Sequence, residues 1–332
     1  MILLLYNKIN TKKINFFDYV LLLFLILVCG LRENVGTDYN LYKFYYSNIN
    51  QNSRFELGFK DMIIFSNNLG LSYNTFLLIV SAITMCLFYF LIKKYSRKPA
   101  SSIFYFVVLG YYAYSFNIIR QMLAISISLF GIKYIKEKKF IRYLVVILIA
   151  SIFHSTALIM IPVYFLLKLK NNIKNNVIII FLCGIMPFLY TKIFTFIVTN
   201  FKQYNSYATI NDFTFTKPGS GTYVIGFINF ILFLIFLINK NKLKRIDEMN
   251  DNYIKLFSYS LIFTGLSFVN SVAVRGGYYL SIYLIFLLPN LANILFKEEH
   301  RKLEILIMLL FVIYYFVHLI SFNQMIPYNS IL

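Results

Sequence analysis

Apolar residues in this chain fall into long unbroken runs instead of alternating with polar ones. The runs cover residues 17–31, 71–92, 101–119, 121–135, 143–153, 155–168, 176–198, 222–239, 254–270, 277–296 and 302–321. A helix that is apolar on every side has to be buried in protein or lipid, and about 20 such residues are enough to cross a bilayer. The pattern therefore predicts an all-α, polytopic integral membrane protein with about 11 transmembrane helices. One stretch reads in two ways: residues 143–168 make either a single span of about 25 residues or two short segments that meet near His154.

Between the runs, polar sequence collects in two places, 32–70 and 199–221, the second ending in the turn cluster Thr216-Lys217-Pro218-Gly219-Ser220-Gly221. No internal repeat or soluble domain interrupts the pattern, so residues 1–332 read as a single transmembrane domain with two large loops. Residues 1–6 are too short to span, and the run after them lacks a small-residue cleavage site, so no removable signal peptide is expected.

Composition agrees with the pattern: 59% of the residues are hydrophobic and 14% charged, against roughly 45–50% and 25% in soluble domains. The excess of 32 Lys and Arg over 13 Asp and Glu gives a net charge of +19, which in a soluble protein would point to nucleic acid. Its distribution points to a membrane instead. With the amino terminus in the cytoplasm, 23 of the 32 cations fall in loops of that side, at 8–13, 93–98, 133–142, 168–174, 240–255 and 297–302. By the positive-inside rule this sets the orientation: a multi-pass protein with a cytoplasmic amino terminus, an extracytoplasmic carboxyl terminus, and both large loops outside. Nucleic acid drops out as a partner. The same bias decides the ambiguous stretch, since a single span over 143–168 would turn the cations of every later loop outward. Segments so short must tilt, cross a thinned region or form a re-entrant pair, and such irregularity is tolerated only against protein or a wet cavity.

The minority of outward cations is where chemistry is expected. Arg97, Arg142, Arg245 and Arg301 belong to the cytoplasmic belt, whereas Arg32, Arg54, Arg120 and Arg275 break the bias. Arginine at membrane depth is costly unless paired or functional, and its planar fork suits phosphate oxygens. The plain alternative is snorkelling, or pairing with Glu33, Asp38, Glu56 or Asp61. Asn117, Arg120 and Gln121 follow an i, i+3, i+4 spacing, one polar helical face that reads as a site wall or as interhelical glue. His154, with Ser151, Ser155 and Thr156 around it, is either a general base or a packed hydrogen-bonding residue. The segment 31–42 adds Asp38 and the aromatics Tyr39 and Tyr42, groups that commonly contact sugars. Cys29, Cys86 and Cys183 sit at unrelated spacings inside apolar runs, and neither a metal site nor a cofactor is expected.

Four spaced motifs carry a resemblance. Gly-Leu-Arg-x-x-x-Gly-Thr-Asp-Tyr-x-x-Tyr at 30–42, Arg-Phe-Glu-x-Gly-Phe at 54–59, Asn-x-x-Arg-Gln-x-x-Ala at 117–124 and Phe-His-x-Thr-Ala at 153–157 before Pro162 together resemble the EpsG family of Wzy-type polysaccharide polymerases. The resemblance is closest over 17–170 and extends more loosely through Arg275.

It implies a GT-C-like architecture in the bacterial cytoplasmic (inner) membrane. It also implies the joining of undecaprenyl-pyrophosphate-linked oligosaccharide repeats at the outer face into O-antigen, capsular or exopolysaccharide. The lipid-linked oligosaccharide and membrane lipids would be partners, and a chain-length regulator a candidate one. On this reading Arg32, Arg120 and Arg275 bind pyrophosphate, and His154, Glu56 or Asp38 is the base. Tyr39, Tyr42, Asn117 and Gln121 contact substrate. A polysaccharide ligase, a lipid-linked oligosaccharide flippase and a membrane acyltransferase are the alternatives. The ligase would share the lipid donor, and the flippase would be expected to show repeats and midplane charge.

Overall fold

The structure, a computed structural model, describes residues 16–49, 55–200, 219–270, 273–296, 301–321 and 325–331. Arg54 and most of the 199–221 loop, with Lys202 and Lys217, lie outside the described residues. Every described regular element is helical, and the chain divides into two compact units. One contains residues up to Ile161 and from Leu288 onward, the other Pro162–Leu287.

In the first unit, α1 (Phe16–Gly30) packs along α4 (Tyr73–Tyr95). Helix α4 is started by Ser72, whose hydroxyl accepts the Thr75 N–H at 3.2 Å, a normal N-cap. It is long and apolar enough to cross a membrane, with 56% of its apolar window buried in protein, which makes it a central helix of this unit. Asp18 of α1 and Lys93 of α4 form a buried ion pair at 2.9 and 3.1 Å, and the Tyr89 hydroxyl donates to the same carboxylate. Lys93, counted with the cytoplasmic loop cations at 93–98 from the sequence, is thus a paired core residue. An unpaired charge at such a site would be expensive.

The runs expected as single spans at 101–119 and 121–135 are each broken. The first divides into α5 (Pro99–Val108) and α6 (Tyr111–Asn117) at Gly110, whose φ of +87° is left-handed. A further break at Ile118 precedes α7 (Ile119–Ser128), and α8 (Gly131–Lys136) follows. Helix α9 (Phe140–Phe153) ends where His154 turns extended (φ −157°, ψ 118°). A 3₁₀ turn, Ser155–Ile159, and α10 (Met160–Leu166) come next. The Tyr143 hydroxyl donates to Met160 O at 2.7 Å. Ten residues of helix separate Tyr143 from the end of α9, a length of about 15 Å, so the chain must double back at His154 to make that bond. The broken reading of 143–168 holds, in the form of a hairpin with His154 at its tip.

The 32–70 loop is largely helical, with α2 (Tyr39–Ser47) and α3 (Leu57–Asn68). Its aromatic residues bury themselves against α4 in a cluster of Tyr39, Tyr42, Tyr46, Phe55, Phe59 and Phe76, with edge-to-face pairs such as Phe55–Phe59 at 5.6 Å. The carboxyl-terminal tail lies beside the start of this loop: Glu33 N–H donates to Asn329 O and Ile331 N–H to Leu31 O, both at 3.0 Å.

The second unit contains α11 (Ile173–Asn200), α12 (Ser220–Ile238), α13 (Lys240–Ile246), α14 (Met249–Ser267) and α15 (Val274–Ser281). Windows of α11 and α12 are also long and apolar enough to span, yet only 11% and 17% buried, so most of their surface is left for lipid. Lys255, counted with the cytoplasmic belt from sequence, is buried and donates to Leu167 O and, at 3.3 Å, to Leu169 O. It satisfies carbonyls at the end of α10 that no intrahelical donor reaches. Helix α16 (Leu284–Leu295) continues from α15 with a bend of 56°, and together they make a fourth candidate span. Helix α17 (Arg301–Ser321) closes the order in the first unit.

Candidate functional site

Three sequence-distant segments meet at one carboxylate. Glu56 stands at the start of α3 in extended backbone (φ −62°, ψ 150°), and its side chain makes no cap to its own helix. It reaches to the α9 hairpin tip instead. There its Oε1 accepts from His154 Nδ1 at 2.9 Å, the Ser155 N–H at 3.0 Å and the Ser155 hydroxyl at 3.2 Å. Its Oε2 accepts from the Arg120 guanidinium at the start of α7. The three charged or titratable side chains are about a fifth exposed, 17% for Glu56, 19% for Arg120 and 20% for His154.

Four donors on one carboxylate decide its charge. Burial opposes ionisation, but the His154 hydrogen bond, the Arg120 charge and the Ser155 N–H outweigh it and lower the Glu56 pKa from 4.5 to about 2. A carboxylate so weakly basic is a poor general base near neutral pH. Of the three residues expected to fill that role, Glu56 is the ionised partner of the other groups. The carboxylate of Asp38, half-buried at the start of α2, accepts the Thr37 hydroxyl at 3.2 Å and meets neither Arg120 nor His154 by a hydrogen bond among the described residues. His154 is left as the base candidate, and its Nε2 has no hydrogen-bond partner among the described residues.

Arg120 is held on three sides. Its NH1 meets Glu56, its Nε lies 3.5 Å from the Tyr42 hydroxyl, and its guanidinium carbon stands 4.3 Å from the centre of the Phe55 ring. NH2 has no hydrogen-bond partner among the described residues. Phe55 and Ser155 were not singled out as site residues from sequence, although both adjoin residues that were: Phe55 lies within the Arg-Phe-Glu motif and Ser155 follows His154.

Other expected site residues are placed differently. Arg32 is 1% exposed. Its guanidinium donates to Cys29 O and, at 3.0 Å, to Phe116 O, and lies 5.0 Å from the Phe116 ring centre. No carboxylate pairs with it among the described residues, and its Nε has no hydrogen-bond partner. Arg32, expected to bind pyrophosphate, is thus buried with main-chain carbonyls at its fork.

Tyr39 and Tyr42, expected at a sugar, are 1% and 6% exposed in the aromatic cluster, and the Tyr39 hydroxyl donates to Asn74 at 3.1 Å. Asn117 and Gln121 are 6% and 3% exposed. Asn117 and Arg120 do not share the single helical face that their spacing predicts, because the helix breaks at Ile118 between them. Instead, Asn117 Oδ1 accepts the Thr37 N–H at 2.8 Å, and Arg120 takes Glu56. The junction thereby grips the 32–70 loop at two points, Thr37 and Glu56. Gly36 completes the grip: its φ is +99°, and a Cβ there would fall 2.5 Å from Asn117 Oδ1. Arg275 belongs to the second unit, exposed near the start of α15.

No curated protein and no solved structure matches this chain. A family model does match, over residues 15–330, nearly the full length and all four motifs. Broken apolar helices, a buttressed 32–70 loop and an Arg–Glu–His group now stand behind those motifs, and the chain belongs to the EpsG family, membrane proteins of polysaccharide biosynthesis associated with Wzy-type polymerases.

Proposed function

We propose that this protein polymerises undecaprenyl-pyrophosphate-linked oligosaccharide repeats at the outer face of the bacterial cytoplasmic membrane. A sugar hydroxyl of one lipid-linked unit attacks the anomeric carbon of the growing chain. The new glycosidic C–O bond forms as the bond from that carbon to the pyrophosphate oxygen breaks, and the electron pair leaves with undecaprenyl pyrophosphate. His154 Nε2 takes the hydroxyl proton. The outer guanidinium nitrogen of Arg120 meets the charge that builds on the leaving group, and stabilising developing charge is where a fixed cation contributes most to rate. Arg275, in the second unit, is carried as a pyrophosphate-binding candidate from the sequence alone. Arg32 adds positive potential at the α6–α7 junction without touching the ligand.

The observation that carries this reading is the joining of Arg120 and His154 through Glu56, with one nitrogen on each that has no hydrogen-bond partner among the described residues. A base beside a cation is what departure of a pyrophosphate from an anomeric carbon asks for. The partners are then the lipid-linked oligosaccharide and membrane lipids, with a chain-length regulator as a further candidate.

The test is reconstitution: the purified protein with a lipid-linked repeat should yield a ladder of products, and Arg120→Ala, Arg275→Ala and His154→Ala should lose it. Long polymer from well-expressed variants would sink the reading. Transfer to a different acceptor would identify a ligase, and translocation without new bonds a flippase.

A further inference from the structure

We infer that Glu56 is a positioning residue, which fixes the tautomer of His154 and the aim of Arg120, with Ser155 holding the carboxylate in register. This rests on the polymerase reading for its consequence but not for its geometry. An ionised carboxylate can only accept hydrogen bonds. The proton of neutral His154 must therefore sit on Nδ1, 2.9 Å from Glu56 Oε1, and the lone pair on Nε2. Without such a partner either ring nitrogen could carry the proton, and a base with its lone pair turned to the wrong side cannot accept one from substrate. Arg120 is bonded to the other oxygen of the same carboxylate. One side chain thus sets the spacing between the base and the cation.

The main chain under Glu56 is built to stay in place. On one side Phe55 packs in the aromatic cluster against Tyr42 and Phe59, at 5.8 and 5.6 Å between ring centres. On the other, Gly58 lies so close to the end of α9 that a Cβ would stand 3.1 Å from Ile152 O. Phe59 is fully buried. A carboxylate that swung aside to make room for an incoming anion would need a looser base than this. Ser155 contributes two of the three bonds on Oε1, one from the backbone and one from its hydroxyl.

The chain has three histidines, so 15N-histidine labelling of the full-length protein in detergent gives few imidazole signals, and His154→Ala assigns the one that matters. At about pH 9, where imidazole is neutral, the wild type should show His154 with Nδ1 protonated and Nε2 bare. In Glu56→Ala, which removes the acceptor, that signature should be lost. A wild-type His154 protonated on Nε2 overturns the inference even if no variant folds, and so does a signature unchanged in Glu56→Ala.

The second readout is a double-mutant cycle on polymer formed in cells, at matched expression. Glu56→Gln and His154→Ala should each cut polymer by on the order of 100-fold, while Glu56→Gln on the His154→Ala background should cost less than about twofold. Independent, multiplying losses would assign Glu56 a separate role. If Glu56→Gln instead raised the affinity of the purified protein for inorganic pyrophosphate about tenfold, Glu56 would be an occupant of the anion site and the inference would fall. Should the tautomer signature hold while His154→Ala leaves polymer unchanged, the geometry stands and the assignment of His154 as the base fails.

Discussion

Tyr143 and Met160 are 17 positions apart, yet the hydroxyl of one donates to the carbonyl of the other at 2.7 Å. That bond forces the chain to reverse at His154. It makes residues 140–160 a hairpin whose tip carries the imidazole.

The reversal is open to a direct check. With Cys86 and Cys183 replaced, single cysteines at Lys138 and Lys170 should both be shielded from a membrane-impermeant maleimide in intact cells and labelled after permeabilisation. A cysteine at Thr37 should be labelled from outside. Labelling of 138 and 170 from opposite faces would restore the single span.

The buried pair of Asp18 and Lys93 should behave as a unit. Asp18→Asn or Lys93→Met alone leaves an uncompensated charge in the core and is expected to cost about 3–5 kcal/mol. The double variant should recover most of it. Thermal unfolding of the full chain in detergent, read against expression level, checks the recovery.

Acid should find Glu56. Its folded pKa, about 2, lies below the usual 4.5, so the stabilisation it gives is complete above 4.5 and lost as pH falls from there toward 2. The amount at stake is at most about 3 kcal/mol. Wild type should therefore lose more stability than Glu56→Gln across that window, with the two curves running parallel at higher pH. Equal acid sensitivity would mean that the Arg120 and His154 contacts do not hold the carboxylate.

Gly36→Ala combines a left-handed φ with a clash on Asn117. It is expected to cost about 1–3 kcal/mol, because the Thr37–Asn117 bond must give way. The loop held by that bond also carries Glu56, so polymer output should fall further than the stability loss alone explains. Normal output from a destabilised Gly36→Ala would separate the loop from the site.

Much of this protein is legible in one dimension. Apolar runs, the cations between them and the interruption at His154 are local properties of the chain, because crossing a bilayer is a matter of length and hydropathy within a single segment. The four motifs that carry the EpsG resemblance are local in the same way. What one dimension does not contain is which side chain meets which. Arg32 and Arg120 both break the charge bias and look alike in sequence, yet one is spent on main-chain carbonyls and the other faces a carboxylate. Glu56 is 64 positions from Arg120 and 98 from His154. Their meeting depends on how α3, the α6–α7 junction and the α9 hairpin pack, and on the aromatic cluster that seats the loop. Charge states and tautomers follow from those contacts, since hydrogen bonds, burial and nearby charge act through space and not along the chain. The membrane class and the family were in the sequence; the meeting of His154 and Arg120 at Glu56 came from the tertiary structure.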